Sequence, residues 1–227
     1  MPTTLITGAG RGLGLEFARQ YAEDGWTVLA GVRDADAMGR LMAFDGDISP
    51  VTIDIADPAS VTIMAERLRG IPIDLLISNA GIFGPRGMPI GDWDFAAWRE
   101  VLEVNLIGTL RTAEAFLDHV MDGEGKKMAF VSSLMGSMTD NTSGGAYAYR
   151  SSKAALNAAV RSLSIDLASD DMILAILNPG WVRTDMGGPA ASIGVEESVR
   201  GMRQVLAGLS PAETGRFWHY DGRELPW

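Results

Sequence analysis

The sequence predicts an α/β fold: a single-domain, doubly wound parallel sheet of about seven strands with helices on both faces. Three observations carry this expectation. Short apolar runs alternate with longer helical patterns along all 227 residues. Most of the runs are continuously apolar, as strands covered on both faces of a parallel sheet must be. A glycine-rich stretch, Gly8 to Gly14, separates the first apolar run from the first helical one.

The elements follow in order. TTLIT (3–7) is a short β-branched run, and after the glycines LEFARQYAEDG reads as an amphipathic helix. TVLAGVR (27–33), PVTIDI (50–55), IDLLIS (73–78), KMAFVSS (127–133), MILAILN (172–178) and RFWHYDG (216–222) supply the remaining strands. Helical patterns fall at 57–69, 94–121, 146–168 and 195–208. No internal repeat or low-complexity tract interrupts them, and no linker divides the chain, so residues 1–227 are expected to form one unit.

Composition removes several functions. With 47% apolar and 21% charged residues, the chain has the balance of an ordinary globular protein. A net charge of −10 argues against nucleic acid as a partner. Cysteine is absent, which rules out disulfides, thiolate nucleophiles and Cys-ligated zinc. His119 and His219 match no ligand spacing, so no metal is expected. MPTTLITGAG lacks the regions of a signal peptide and no apolar run is long enough to span a membrane, so a cytoplasmic location is expected, with no membrane partner.

Two stretches carry chemistry. Glycines between a strand and a helix let the backbone turn sharply and approach a ligand, while the helix N-terminus offers free N–H groups to an anion. The pattern here is Gly8-x-x-x-Gly12-x-Gly14 rather than G-x-G-x-x-G. Further on, AYAYRSSKAALNAAVRSL places Tyr149 and Lys153 one helical turn apart, pointing the same way. A cation beside a phenol favours the phenolate, so such a pair in a cleft can exchange a proton with a carbonyl or alcohol oxygen. Tyr147 has no lysine four residues on, because position 151 is serine.

TGAGRGLG, SNAG (78–81), Ser133 and YRSSK together resemble the short-chain dehydrogenase/reductase family, over essentially the whole chain and in the right order. VSSLMGS, GGAYAYRSSKAAL, NPGWVRTDMGGPAA and the terminal YDGRELPW are more narrowly similar to the Sniffer and C-factor group of small carbonyl reductases. The resemblance implies a Rossmann-type dinucleotide domain and an oxidoreductase that interconverts a small aldehyde, ketone or quinone and its alcohol. The alternative it implies is a cofactor-binding signalling protein of C-factor type with little turnover. A homodimer or homotetramer is the family's usual assembly.

By this resemblance the catalytic set is Asn105, Ser133, Tyr149 and Lys153, with Ser132 as rival to Ser133. Asn105 would bend its helix and hold a relay water, and Ser133 would donate to the substrate oxygen. The cofactor set is Gly8, Gly10, Arg11, Gly12, Leu13, Gly14, Arg33, Asp54, Ile55, Asn79, Ala80, Gly81, Tyr149, Lys153, Pro179, Gly180, Val182 and Thr184. The family's second asparagine is replaced by Ser78, and the interval from Ser133 to Tyr149 is longer than usual, with LMGSMTDNTSGGA carrying the excess. Trp181, Met135, Met138 and Met186 are candidate pocket walls.

A carboxylate at the end of the second strand suits the ribose hydroxyl of NAD, and a cation there suits the extra phosphate of NADP. TVLAGVR ends in Arg33 and Arg11 lies in the glycine loop, so two cations could clasp a phosphate. NADP(H) is the expected cofactor. Asp34, one residue on, keeps NAD(H) as the alternative.

Overall fold

The computed structural model describes residues 1–227. Seven parallel strands form its one sheet: β1 (Thr3–Thr7), β2 (Thr27–Val32), β3 (Ile48–Thr52), β4 (Leu75–Ser78), β5 (Lys127–Val131), β6 (Ile173–Asn178) and β7 (Arg216–His219), in the order β3-β2-β1-β4-β5-β6-β7. The order reverses between β1 and β4, which pair at Thr4↔Leu75 through Ile6↔Ile77. Ligands of open α/β sheets bind at such a reversal, beyond the carboxyl ends of the strands.

Alternation along the strands divides the core. Ile6, Ala30, Ala129 and Ala175 face one way, onto Phe17 and Ala18 of α1 (Gly12–Glu23). Val199, Met202 and Leu206 of α8 (Val195–Gly208) complete that layer. Leu5, Leu29, Leu76, Met128, Phe130 and Leu174 face the other way. They meet Val61 and Met64 of α3 (Pro58–Arg67), Ala113 of α5 (Thr109–Ala115) and Leu156 and Val160 of α7 (Tyr147–Asp166). All six residues of β6 are buried, the price of being covered on both faces and the reason the run shows no alternation.

Three elements differ from expectation. β3 begins at Ile48 and ends at Thr52, so Asp54 and Ile55 lie in the loop beyond it. A short helix, α2 (Ala35–Leu41), stands where none was expected, started by the Asp34 carboxylate accepting from Ala37 N at 2.8 Å. The single helix expected over 94–121 is broken into α4 (Phe95–Leu102), a π-helical turn (Glu103–Gly108), α5 and α6 (Leu117–Met121).

The π turn has a local cause. Asn105 is fully buried, and its amide is drawn off the helix: Oδ1 accepts from Ile82 N and Nδ2 donates to Ile82 O, both at 2.8 Å. At the end of the turn Gly108 lets the helix approach the Ile55 carbonyl, which an added Cβ would meet at 2.5 Å. Such π turns recur at functional sites.

Candidate active site

A cleft of about 530 Å³ opens beyond the carboxyl ends of β1, β2 and β4. Its floor is the glycine loop. Gly8 has φ +67°, and Gly14 is so close to the Gly8 carbonyl that a Cβ would come within 2.2 Å of it. The N-terminus of α1 has no side-chain cap, and Gly12 and Leu13 there line the cleft. An uncapped helix start with glycines around it suits an anionic group.

Asn79 ties this floor to β4. Its Nδ2 donates to Thr7 O at 3.0 Å and Gly8 O at 3.2 Å, while the Thr7 hydroxyl accepts from Asn79 N and Ala80 N. Ala80 and Gly81 then pass through the wall of the cleft. Ser78, by contrast, is buried with its hydroxyl unpartnered.

At the outer end of the cleft stand Arg33, Asp34 and Arg40. Asp34 is engaged as the cap of α2. Arg33 and Arg40 pair with no carboxylate; Arg40 Nε donates to Gly10 O at 2.8 Å. Arg11 lines the same cleft, its exposed guanidinium pairing with Asp185 at 3.0 Å. Asp54 lines the cleft with Ile53 and Ile55, and Asp57 rather than Asp54 caps α3.

At the inner end Tyr149 and Lys153 share one face of α7, and Lys153 Nζ lies 5.8 Å from the centre of the tyrosine ring. Both line the cleft and both are buried. Lys153 Nζ donates to Val131 O at 2.8 Å. Burial lowers its pKa to about 8, and burial raises that of Tyr149 to about 12 against the contrary pull of the Ser133 hydroxyl. In the free protein, desolvation therefore moves the phenol in the direction opposite to the one expected from its lysine neighbour.

Ser133 follows β5 and starts a tight turn (Leu134–Gly136), its Oγ accepting from Met135 N at 3.1 Å. Gly136 brings that turn against α7 at Lys153, where a Cβ would meet the backbone at 2.9 Å. Asn178 Oδ1 fixes the turn from β6 by accepting from Leu134 N at 3.0 Å. The rival Ser132 is buried and donates to Asn157 Oδ1 at 2.6 Å. Asn105 sits behind Gly81, and its second amide hydrogen goes to Ser152 Oγ at 3.0 Å.

After β6, Pro179, Arg183, Thr184, Asp185 and Met186 form the remaining wall. Among the expected residues, Gly14, Asn105, Ser133, Gly180 and Val182 do not line the cleft, whereas the rival Ser132 does; the Ser133 hydroxyl faces Tyr149. Of the four expected pocket walls only Met186 lines it; Met138 is exposed and Trp181 Nε1 donates to Gly187 O. Arg40, Asp185 and Thr7 were not anticipated. Arg40 was hidden with α2, whose seven residues are too few to establish a helical period.

The sequence model of the short chain dehydrogenase family matches residues 2–192. The chain belongs to the short-chain dehydrogenase family. It is 34% identical to 1-hydroxy-2-glutathionyl-2-methyl-3-butene dehydrogenase of Rhodococcus sp. (strain AD45), over 100% of both chains. It is 49% identical to C-signal of Myxococcus xanthus over 156 residues, 69% of this chain and 93% of that protein. Carbonyl reductase Sniffer of D. melanogaster superposes with TM-score 0.92 at 31% identity over 100% of both chains. The NADPH-bound carbonyl reductase from chicken fatty liver superposes with TM-score 0.90 at 33% identity, over 100% of this chain and 99% of that one. The narrower likeness to the Sniffer and C-factor group therefore holds, and this member of the family is an oxidoreductase by kinship. No helix in it is long and apolar enough to cross a membrane.

Proposed function

We propose that the protein is an NADP(H)-dependent reductase that interconverts a small aldehyde, ketone or quinone and its alcohol. The observation that carries this reading is the buried Tyr149–Lys153 pair at one end of a cleft whose other end presents the unpaired cations Arg33 and Arg40.

The cleft suits a dinucleotide phosphate. The uncapped start of α1 faces a floor on which Gly8, Gly10 and Gly12 leave the backbone open to an anion. Arg33 and Arg40 suit an additional phosphate, and Asp34 has one carboxylate oxygen taken up in capping α2. Asn79, Ala80 and Gly81 would pass beside the adenosine ribose, with Asp54 and Ile55 at the base. Pro179, Val182 and Thr184 would hold the nicotinamide end. When bound, the cofactor supplies the hydride.

The chain's own groups manage the proton. Tyr149 gives its hydroxyl proton to the substrate oxygen as charge develops there, and the Lys153 ammonium steadies the phenolate that remains. Ser133 accepts from Met135 N, which leaves its O–H free to donate to the same oxygen. Asn105 has its side-chain amide engaged, which fixes the π turn and Ile82, so the relay water expected of it would be held by its backbone carbonyl.

The test is Tyr149→Phe. It should lose turnover by about 10²–10⁴-fold, the usual weight of general acid catalysis, while still binding NADPH. Retained turnover would overturn the assignment. The likeness to C-signal supports a second reading, a cofactor-binding signalling protein with little turnover. Consumption of NADPH across a broad panel of carbonyl compounds separates the two, since a silent panel with tight cofactor binding favours the second. Exposed Ile107 and Ile165, on the π turn and α7, support assembly into a homodimer or homotetramer through those elements.

A further inference from the structure

Four side chains form a column that leads out of the site. Lys153 stands by Tyr149, Tyr149 stacks on Phe83 with ring centres 4.6 Å apart and planes at 24°, and the Arg86 guanidinium lies 4.5 Å from the Phe83 ring centre. Phe83 cannot hold both neighbours on one side, so one of its faces carries Tyr149 and the other Arg86. The backbone enforces this return. Gly84 and Gly87 have φ +77° and +79°, and Gly84 is pressed onto Val101, where a Cβ would meet Cγ2 at 2.4 Å. With Pro85 between them, the chain turns back within three residues.

Arg86 is itself tied down. Its guanidinium donates at 2.5 Å to the carbonyl of Met186, a residue of the cleft wall that follows β6. The contact joins the loop after β4 to the segment after β6. Phe83 cannot swing outward until Arg86 leaves its face, and Arg86 is anchored across the site. Phe83 does not line the nucleotide cleft, so the face of the Tyr149 ring that it covers lies outside that cleft.

We propose that Phe83 and Arg86 form a latched cover over Tyr149, and that the Phe83 ring sets substrate choice by admitting small or flat carbonyl compounds and refusing bulky alicyclic ones. The proposal rests on Tyr149 as the proton donor to a carbonyl oxygen and names which carbonyls reach it. A ring of fixed position is a steric filter, and a single methylene more or less in such a pocket is worth about 10–200-fold in kcat/KM. Removing the filter changes the ratio between substrates more than the rate with any one of them.

The experiment compares kcat/KM for a short straight-chain aldehyde and a bicyclic ketone in the wild type, Phe83→Ala and Arg86→Ala, with NADPH affinity measured by fluorescence in each. Phe83→Ala should raise the bicyclic-to-aldehyde ratio at least about tenfold with NADPH affinity unchanged. Arg86→Ala, on an exposed loop, should move the ratio the same way by a smaller factor. Water admitted to Tyr149 should also shift the alkaline limb of the pH–rate profile downward in Phe83→Ala, which a change confined to folding would not do. An unchanged ratio in both variants, with wild-type turnover intact, overturns the cover and leaves the reductase reading standing. A wild type that turns over neither compound nor any other carbonyl overturns both.

Discussion

Lys153 places its ammonium 5.8 Å from the centre of the Tyr149 ring while donating to the Val131 carbonyl. The two groups answer burial in opposite directions, and the consequence can be read from stability against pH. Lys153 titrates near 8 when folded, below its usual 10.5. Between those values the unfolded chain binds more protons, so stability rises with pH, and the penalty of burying the charge is fully present below pH 8. Tyr149 titrates near 12 when folded, above its usual 10.0, so from about pH 10 upward stability falls. Denaturant titrations should show a crest near pH 10. Lys153→Met should erase the rising limb, gain up to about 3 kcal/mol at pH 7, and lose turnover. A flat wild-type curve from pH 8 to 10 would contradict the buried ammonium.

Asn105→Ala should destabilise the fold by about 2–4 kcal/mol. It removes three hydrogen bonds from a fully buried site and orphans both polar groups of Ile82. Ser152→Ala, which removes only one of those partners, should cost about 1 kcal/mol. Guanidinium unfolding of the two variants checks the ranking.

Ser78→Ala should be neutral or stabilising by up to about 1 kcal/mol, because the Ser78 hydroxyl is buried without a partner. Thr7→Val is the contrast. Its hydroxyl accepts from two backbone N–H groups beside the glycine loop, and its loss should cost about 1–3 kcal/mol. Thermal melts of both should move in opposite directions or leave Ser78→Ala unmoved.

Arg33→Ala and Arg40→Ala should each weaken NADPH about 10–100-fold and leave NADH little changed, since a charged hydrogen bond to a phosphate is worth about 1.5–3 kcal/mol. Arg11→Ala should weaken both nucleotides alike, because Arg11 faces Asp185 and not the other two cations. Asp34→Ala should cost about 1 kcal/mol of stability as the cap of α2 is lost. Fluorescence titration with both nucleotides decides these cases.

The strands were legible because burial on both faces leaves unbroken apolar runs, and the glycine loop and the Tyr149–Lys153 pair because each needs fixed residues at fixed spacing. What escaped has equally physical reasons. α2 depends on one capping carboxylate and a few packed side chains, too little to imprint a period on Ala35–Leu41. The π turn is imposed by Ile82, 23 residues away from Asn105, and no local pattern reports a partner at that distance. The acidity of Tyr149 was misjudged because spacing shows the neighbouring lysine and hides the water that folding removes. Asp34, weighed as a ribose ligand, also caps α2, a helix the sequence did not show.

Asp185 and Met186 are consecutive, yet Arg11 holds the first from the glycine loop and Arg86 the second from the far bank. One peptide unit thus moors both shores of the active centre. The segment after β6 touches, at neighbouring positions, both the loop that starts α1 and the loop that carries Phe83.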